Sequence, residues 1–321
     1  MGNSYRTPGD TDSGSVNYHI LPIALAKSLG KLAKDLGIAK LVTNYSSDAF
    51  GQGSRFGMSV RVPKRGSVAS TAKVPGTAVT PAAATSTKAD IAINQHYTWD
   101  ILVEDYGTLF TQPGLLQGYL EDGELEIAED VEASITALYA VASAQVGSAG
   151  GNASAALIRS MRSTARGASH LFNLKAPMYA VWGVDAEADL LGETLFAKAN
   201  ESGSTETLVE ARLGRKFGID HFTSNLIASV AGSPGAEHNM FFQKDAIGLA
   251  FVDMNLGSLP DTFVGNVLMK AMYLPDDDGV PAYSMRTIIG YDQKERGTML
   301  TVDSIWGVGA VRAEHLLDVL S

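Results

Sequence analysis

The feature that most constrains this fold is a basic segment, residues 55–88, that is too poor in bulky side chains to build a core. Its tip, residues 66–89, is mostly Ser, Thr, Ala, Val and Gly, with Pro75 and Pro81. By contrast, residues 89–158 contain no Lys or Arg. A segment without its own core needs a surface to lie on, and the cation-free segment that follows is a candidate for that surface.

Both flanks of the tip have the alternation of a β-strand. Before it, Met58, Val60 and Val62 alternate with polar residues, and after it Ile91 and Ile93 do the same. An apolar period of two predicts strands whose alternate side chains face one side. The segment is therefore predicted to be a long β-hairpin that projects from the body of the protein.

Composition sets the outer limits of the function. The chain has 321 residues, 45% of them hydrophobic, so one or two globular domains are expected. It has no Cys, which excludes disulfides, thiolate zinc sites and a cysteine nucleophile. A net charge of −10 disfavours a dedicated nucleic-acid binder. Without a signal peptide or a long apolar run, a soluble protein that makes no membrane contact and stays where it is made is expected.

The best helical pattern in the chain covers residues 121–145. Apolar residues recur there at spacings of three and four: Leu125, Ala128, Val131, Ile135, Leu138 and Ala142. Acidic residues crowd the first half: Glu124, Glu126, Glu129, Asp130 and Glu132. The spacing predicts a long helix, and the acids favour its amino end because they complement the helix dipole.

Further helices and strands alternate along the rest of the chain. A second helix is predicted over residues 153–168, with Ala156, Leu157, Met161 and Ala165 inward and Arg159, Arg162 and Arg166 outward. These arginines favour a solvated helix face over a phosphate site, because no aromatic residue accompanies them.

Beyond that helix, strands are predicted at residues 178–182, 217–223, 285–290 and 298–305. A helix is predicted at residues 185–200, with Ala188, Leu191, Leu195 and Phe196 inward. Helices interleaved with antiparallel strands define the class as α+β.

No local pattern nominates a catalytic, cofactor or metal site. The histidines occur singly: His19, His96, His170, His221, His238 and His315. Gly51, Gly53 and Gly57 precede a strand where a dinucleotide fingerprint needs a helix, and neither a P-loop nor a G-x-S-x-G elbow is present. The acids before Gly279 have the wrong spacing for a calcium loop. No cofactor or metal is expected, although a serine triad with members far apart in sequence stays open.

Several phrases, taken in order, resemble a known family. They are GSRFGMSVRVPKR (53–65), ADIAINQHYTWDILVED (89–105), APMYAVWGVDAEADLL (176–191), GRKFGIDHFTSNLI (214–227) and FFQKDAIGLA (241–250). With the long acidic helix between them, they resemble the major capsid proteins of tailed phages of the Hong Kong 97 type. In the last phrase, Gln243 stands where the family often has His.

The resemblance implies a Hong Kong 97-type fold with five parts. These are an N-terminal arm (1–45), an extended hairpin loop and its base (46–100), a peripheral domain with the long spine helix (101–170), an axial domain (171–280) and C-terminal strands returning to the peripheral domain (281–321).

The implied function is a non-enzymatic major capsid protein that assembles, as pentamers and hexamers, into the icosahedral head shell around a double-stranded DNA genome. The implied partners are further copies of the chain, a portal, and packaged DNA contacted non-specifically. The implied location is the virion capsid, assembled in the host cytoplasm. Residues 1–15 and a predicted helix near residues 21–36 leave little room for a built-in scaffold, so a separate scaffolding protein, or none, is expected.

Two alternatives stay open on the sequence alone: the shell of an encapsulin-type bacterial nanocompartment that encloses a cargo enzyme, and an unrecognised α+β enzyme.

Subunit-interface candidates follow from the charge contrast. The basic candidates are Arg61, Lys64, Arg65 and Lys73 on the hairpin. We expect them to steer the hairpin onto the acidic half of a neighbour's helix, Glu124 to Glu132. Exposed ion pairs contribute only about 0.2 to 1 kcal/mol each, so charge would set register and encounter rate more than final strength.

Overall fold

The computed structural model describes residues 37–46, 59–65, 72–78, 81, 83, 86–104, 115–167, 172, 176–193, 213–231, 234–252, 267–273 and 283–321. These residues form a six-stranded sheet, a seven-stranded sheet, a two-stranded hairpin and three α-helices. The helix predicted near residues 21–36 and the acidic turn before Gly279 lie outside the described residues, as do Met58, Leu195 and Phe196.

The strands, numbered along the chain, are β1 Thr43–Asn44, β2 Ser59–Arg65, β3 Ser86–Ala92, β4 Gln95–Glu104, β5 Ala144–Gly147, β6 Met178–Trp182, β7 Arg215–Lys216, β8 Ile219–Thr223, β9 Ser229–Val230, β10 Ala236–Gln243, β11 Ile247–Phe251, β12 Val267–Tyr273, β13 Tyr283–Asp292, β14 Gly297–Ala310 and β15 Leu316–Leu320. The helices are α1 Leu115–Thr136, α2 Ala155–Ala165 and α3 Val184–Gly192. The predicted α+β class is confirmed.

Strand β14 organises the six-stranded sheet. Along one edge it pairs with β13, which pairs in turn with β12, and all of these contacts are antiparallel. The same edge also carries β11, which pairs with Trp306 to Ala310, whereas β4 pairs with Gly297 to Trp306 along the opposite edge. The predicted strands at 285–290 and 298–305 are thus confirmed as the longer β13–β14 hairpin.

The first hydrophobic core lies between this sheet and α1. Ile127, Val131 and Ile135 of α1 pack with Val302 and Trp306 of β14 in one buried cluster. Trp99 of β4 packs against the same cluster. A side chain at Gly123 of α1 would lie 2.5 Å from the Trp99 ring, so close approach of helix and sheet requires glycine there.

The seven-stranded sheet runs in the order β5-β15-β10-β6-β8-β7, with β9 also pairing with β10. A second buried cluster, which includes Met161, Trp182, Leu190 and Phe241, joins it to α2 and α3. Strands β13 and β14 belong to the sheet that packs against α1. The C-terminal strand β15 belongs to the other sheet, where it lies between β5 and β10.

The long helix differs from its prediction at both ends. It begins at Leu115 and ends at Thr136, a 3₁₀ turn follows at Ala137–Val141, and Ala144–Gly147 is strand β5. The prediction extended the helix to residue 145, and that was wrong because parallel pairing of β5 with β15 fixes these residues as a strand.

The predicted inward faces of α2 and α3 were only partly right. In α2 the buried residues are Ala155, Ile158, Met161 and Ala165, while Ala156 is exposed. In α3 they are Ala186 and Leu190, while Ala188 is exposed.

The Glu237 carboxylate explains where α3 begins. It accepts hydrogen bonds from the backbone N–H groups of Asp185 (3.2 Å) and Ala186 (3.0 Å). These N–H groups have no partner within a helix, and a carboxylate there also complements the dipole. The start of α3 is thus capped by a residue that lies 51 positions from Ala186 along the chain.

A buried histidine sits inside the second sheet. The Trp182 Nε1–H group donates to His221 Nδ1 at 2.9 Å, which leaves Nε2–H to donate to the Lys216 carbonyl at 3.4 Å. Burial lowers the pKa of His221 to about 4. The ring is therefore neutral in the folded state at pH values where an unfolded histidine is charged.

This histidine predicts an acid-sensitive stability. The pKa of His221 is about 6.5 in the unfolded chain and about 4 in the folded protein. Between these two pH values only the unfolded state binds a proton at this histidine. The free energy of unfolding therefore falls as the pH falls through this range, by about 3 kcal/mol in total. Urea denaturation of the unassembled protein at several pH values measures this. His221→Gln keeps a side-chain oxygen that can accept a hydrogen bond from Trp182 but does not titrate. We expect this variant to lose the part of the pH dependence of stability that comes from His221. An identical pH slope in both proteins would contradict the assignment.

Candidate assembly surfaces

The structure describes the two strands at the base of the predicted hairpin. Strands β2 and β3 pair antiparallel from Ser59↔Ala92 to Arg65↔Ser86. Val60, Val62, Ile91 and Ile93 form a small buried cluster together with Ala250 and Val311 of the body. The predicted strand alternation is confirmed, because these apolar residues all face the body.

Two glycines of the sheet, Gly248 and Gly307, allow β3 to lie against it at backbone distance, and we call them the glycine seat. A Cβ atom at Gly307 would lie 2.2 Å from the Ala92 carbonyl oxygen, and one at Gly248 would lie 2.5 Å from Ile91 Cδ1. One at Gly309 would be at an ordinary 3.5 Å from Ile91 Cα. The glycine seat therefore fixes how the hairpin leaves the body.

The hairpin base also has ionic contacts within the chain. Lys64 Nζ lies 3.3 Å from Glu314 Oε1, and the Lys64 side chain is only 24% exposed. Burial acts to raise the pKa of Glu314, but hydrogen bonds from its own backbone and from Lys64 outweigh this and the pKa is lowered. Arg61 lies 3.7 Å from Asp90 across the hairpin. Two of the four predicted basic contacts thus have partners in their own subunit.

The described part of the tip is a preformed turn. The Thr77 N–H donates to the Val74 carbonyl at 3.2 Å, and Gly76 has φ +86°, as the third residue of a Pro-Gly turn requires. Residues 72–78 are all exposed, including Lys73, and Val74 is 61% exposed. The turn therefore presents a cation beside an apolar side chain to solvent.

The acidic face of α1 is narrower than predicted. Glu126 and Glu129 are exposed and Asp130 is half-buried, and we call these three the acidic ridge. Burial raises the pKa of Asp130, and the carboxylates of Glu126 and Glu129 raise it further. Such clustered negative charge is relieved by a nearby cation.

The other two predicted acids have roles inside the subunit. Glu124 is 1% exposed. Glu132 Oε1 accepts a hydrogen bond from the Ile38 N–H at 2.8 Å, and burial raises the Glu132 pKa although backbone hydrogen bonds oppose it. Glu124, predicted as a subunit-interface candidate, is buried within its own subunit because it lies at the helical spacing of the buried Ile127 and Val131. That spacing was available in the sequence.

Three of the described histidines contact a carboxylate group of their own subunit. His96 contacts Asp303 at 3.4 Å, His238 contacts Asp318 at 2.9 Å and His315 contacts Asp245 at 3.1 Å. Within the described ranges there is no cluster of His, Cys, Asp and Glu that could hold a metal ion. Among the same residues, no helix combines the length and apolar character needed to cross a bilayer.

Comparison with solved structures identifies the fold. The chain is similar to a structure from Mycobacterium phage Che8, with 18% identity, a TM-score of 0.60, and 88% of this chain and 90% of that chain covered. It is similar to the capsid of cyanophage P-SCSP1u (14% identity, TM-score 0.58, 88% and 87% covered) and to the cyanophage Pam1 capsid (13% identity, TM-score 0.57, 87% and 88% covered). No protein-family model and no curated protein sequence matches the chain.

These likenesses cover nearly the whole chain, so the fold is that of tailed-phage capsid structures. The Hong Kong 97-type fold expected from the sequence phrases is confirmed. The interface roles of Arg61, Lys64, Arg65, Lys73 and the acidic residues stay predictions.

Proposed function

We propose that this chain is the major capsid protein of a tailed phage and assembles into the head shell around the phage genome. The observation that carries this proposal is the fold, shared over about 88% of the chain with phage capsid structures. A hairpin whose described tip is exposed on its own subunit supports it further. The role is structural, with the shell itself as the product.

Many weak contacts would hold such a shell together. Pentamers and hexamers in an icosahedral lattice place several patches of each subunit against several neighbours. Once one patch is engaged, the others act at high effective concentration, so a millimolar pair affinity, about −4 kcal/mol, suffices for each. Weak single contacts also allow misplaced subunits to leave.

As further partners we propose a portal protein and packaged DNA, which the chain would contact non-specifically. For scaffolding, we propose either a separate protein or none. Assembly would take place in the host cytoplasm, and the mature protein would reside in the virion.

For the hairpin contact, the structure favours Lys73 over Lys64 as the steering cation. Lys73 is exposed on the tip turn, whereas Lys64 is paired with Glu314. The acidic ridge of a neighbour offers the complementary charge. Reversal of Lys64 would break a contact within the subunit as well, so its effect on assembly would have two causes.

Lys73→Glu should slow assembly most at low salt, because exposed charges act mainly on the encounter rate and are screened as ionic strength rises. We expect a several-fold lower rate at low salt and near wild-type behaviour at high salt, measured by light scattering. Lys294→Glu, in the exposed β13–β14 turn, is the matched control with the same charge change. Equal effects of the two variants would rule out a specific role for Lys73.

Electron microscopy of the purified protein tests the proposed function. Closed shells of uniform size support it, and double-stranded DNA inside particles from infected cells identifies a phage head. Shells that enclose a cargo protein in place of DNA would support the nanocompartment alternative. A protein that stays monomeric at high concentration, with or without a scaffolding protein, would contradict both.

A further inference from the structure

A groove opens where the described chain begins. It has a volume of about 380 Å³ and lies between the segment at Gly37, helix α1, the start of α3 and the end of β8. The residues that line it are Gly37, Ile38, Glu132, Val184, Glu187, Phe222, Thr223, Ser224 and Asn225. None of them belongs to the hairpin or to the acidic ridge.

Two apolar side chains that line the groove are exposed to solvent. Val184 is 59% exposed and Phe222 is 39% exposed. The Phe222 ring is in tilted contact with Tyr179, with centroids 6.1 Å apart, so its position is supported from one side. Exposed apolar side chains that share a concave surface are typical of a binding groove.

The chain itself leads into this groove. Residues 1–36 precede Gly37, which lines it. Immediately after Gly37 the chain is anchored, because Ile38 and Ala39 are buried and Glu132 accepts the Ile38 N–H at 2.8 Å. The covalent chain thus joins the segment that precedes Gly37 directly to a residue that lines the groove.

The sequence before Gly37 has an apolar stripe suited to such a surface. Leu25, Leu29, Leu32 and Leu36 recur at spacings of four, three and four. Lys27, Lys31 and Lys34 occupy the opposite side of the same helical pattern. A helix with this pattern buries the leucines and keeps the lysines in water.

We propose that the leucine stripe of residues 25–36 docks into the Val184–Phe222 groove of its own subunit. The covalent link at Gly37 gives this segment an effective concentration that a free partner does not match. The segment carries Lys27, Lys31, Lys34 and Asp35, and its net positive charge is opposite in sign to Glu132 and Glu187 beside the groove. The docked segment covers Val184 and Phe222 and keeps the arm on the subunit to which it belongs. This inference does not depend on the proposed capsid function.

The absence of Cys in the chain allows a direct test by disulfide trapping. Val184→Cys is combined in turn with Leu29→Cys, Leu32→Cys or Leu36→Cys in the full-length protein, which is then oxidised at low protein concentration. We expect at least one pair to form an intramolecular disulfide, identified by mass spectrometry of the joined peptides. The matched controls combine Val184→Cys with Lys31→Cys or Lys34→Cys, which lie on the helical face opposite the leucines. We expect these pairs to form at least about tenfold less intramolecular disulfide.

Proteolysis supplies a second measurement that does not need a particular register. Trypsin cleaves after Lys27, Lys31 and Lys34, and docking should protect these sites. Val184→Glu should raise the cleavage rate there at least about tenfold, whereas Val230→Glu, at an exposed valine outside the groove, should leave it unchanged. Intermolecular disulfides alone, equal trapping by leucine and lysine positions, or equal cleavage of the two valine variants would overturn the proposal.

Discussion

A chain in which Asn-Gly replaces residues 66–85 will fold but will form no closed shells. In the structure Arg65 pairs with Ser86 at the end of the hairpin ladder, so a two-residue turn can close β2 onto β3 without a change of register. The described tip residues 72–78 are all exposed, so their loss should change the free energy of unfolding by less than about 0.5 kcal/mol. Urea denaturation measures the fold, and electron microscopy counts the shells.

A second variant separates the side chains of the tip from its length. Replacing residues 66–85 by a Gly/Ser sequence of equal length keeps the reach of the loop but removes Lys73, Val74 and the Pro-Gly turn. We expect it also to fail in shell formation, because an unstructured loop loses conformational entropy on docking and has no apolar contact in return. Normal shells from the shortened chain would show that the hairpin tip is not an assembly element.

Gly307→Ala will lower the free energy of unfolding by about 2 kcal/mol or more, because overpacking against a fixed neighbour costs about 1 to 3 kcal/mol and here the neighbour is backbone. The new Cβ would lie 2.2 Å from the Ala92 carbonyl oxygen, a distance that forces β3 away from the glycine seat. Alanine is no worse than glycine in a strand, so the loss would come from that contact. Urea denaturation of the unassembled protein measures it.

Gly309→Ala is the matched control for this prediction. It makes the same change in the same strand, two residues away, where the new Cβ would meet Ile91 Cα at 3.5 Å. We expect it to change stability by less than about 1 kcal/mol. In Gly307→Ala, hydrogen exchange should also quicken in β2 and β3, since the hairpin would be displaced from the body. Equal destabilisation by the two alanines would show that the glycine seat does not position the hairpin.

Local patterns predicted those parts of the fold in which neighbouring residues along the chain determine the structure. The alternation around Val60 and Ile91 gave the hairpin base, and the strand at 178–182 was found with its observed ends. The hairpin strands bury one face and so show a period of two, whereas β6 is buried on both faces and shows as a short continuous apolar run. The order of the sequence phrases then indicated the fold, which the structural comparison confirmed.

Contacts between distant segments decided the rest. The helical pattern of α1 stops short of residue 145 because β15 pairs with Ala144–Gly147, and the start of α3 is capped by Glu237. Of the candidate site, Lys73, Glu126 and Glu129 are exposed, whereas Lys64 has a partner in Glu314 that lies 250 residues away. No local window contains both members of such a pair. The glycine seat was missed for the same reason, because glycines in a strand signal a close approach without naming what approaches.

The position of β15 has a consequence for biosynthesis. This strand is inserted between β5 and β10, so the sheet that it completes combines residues 144–147, 236–243 and 316–320. On the ribosome the first two segments emerge while the third is still untranslated, and the second core stays open until residue 320 has been added. A polypeptide cut short before Leu316 would lack the strand that joins β5 to β10, so residues 144–147 could not pair with that sheet and the second core would lose the buried Leu317 and Val319.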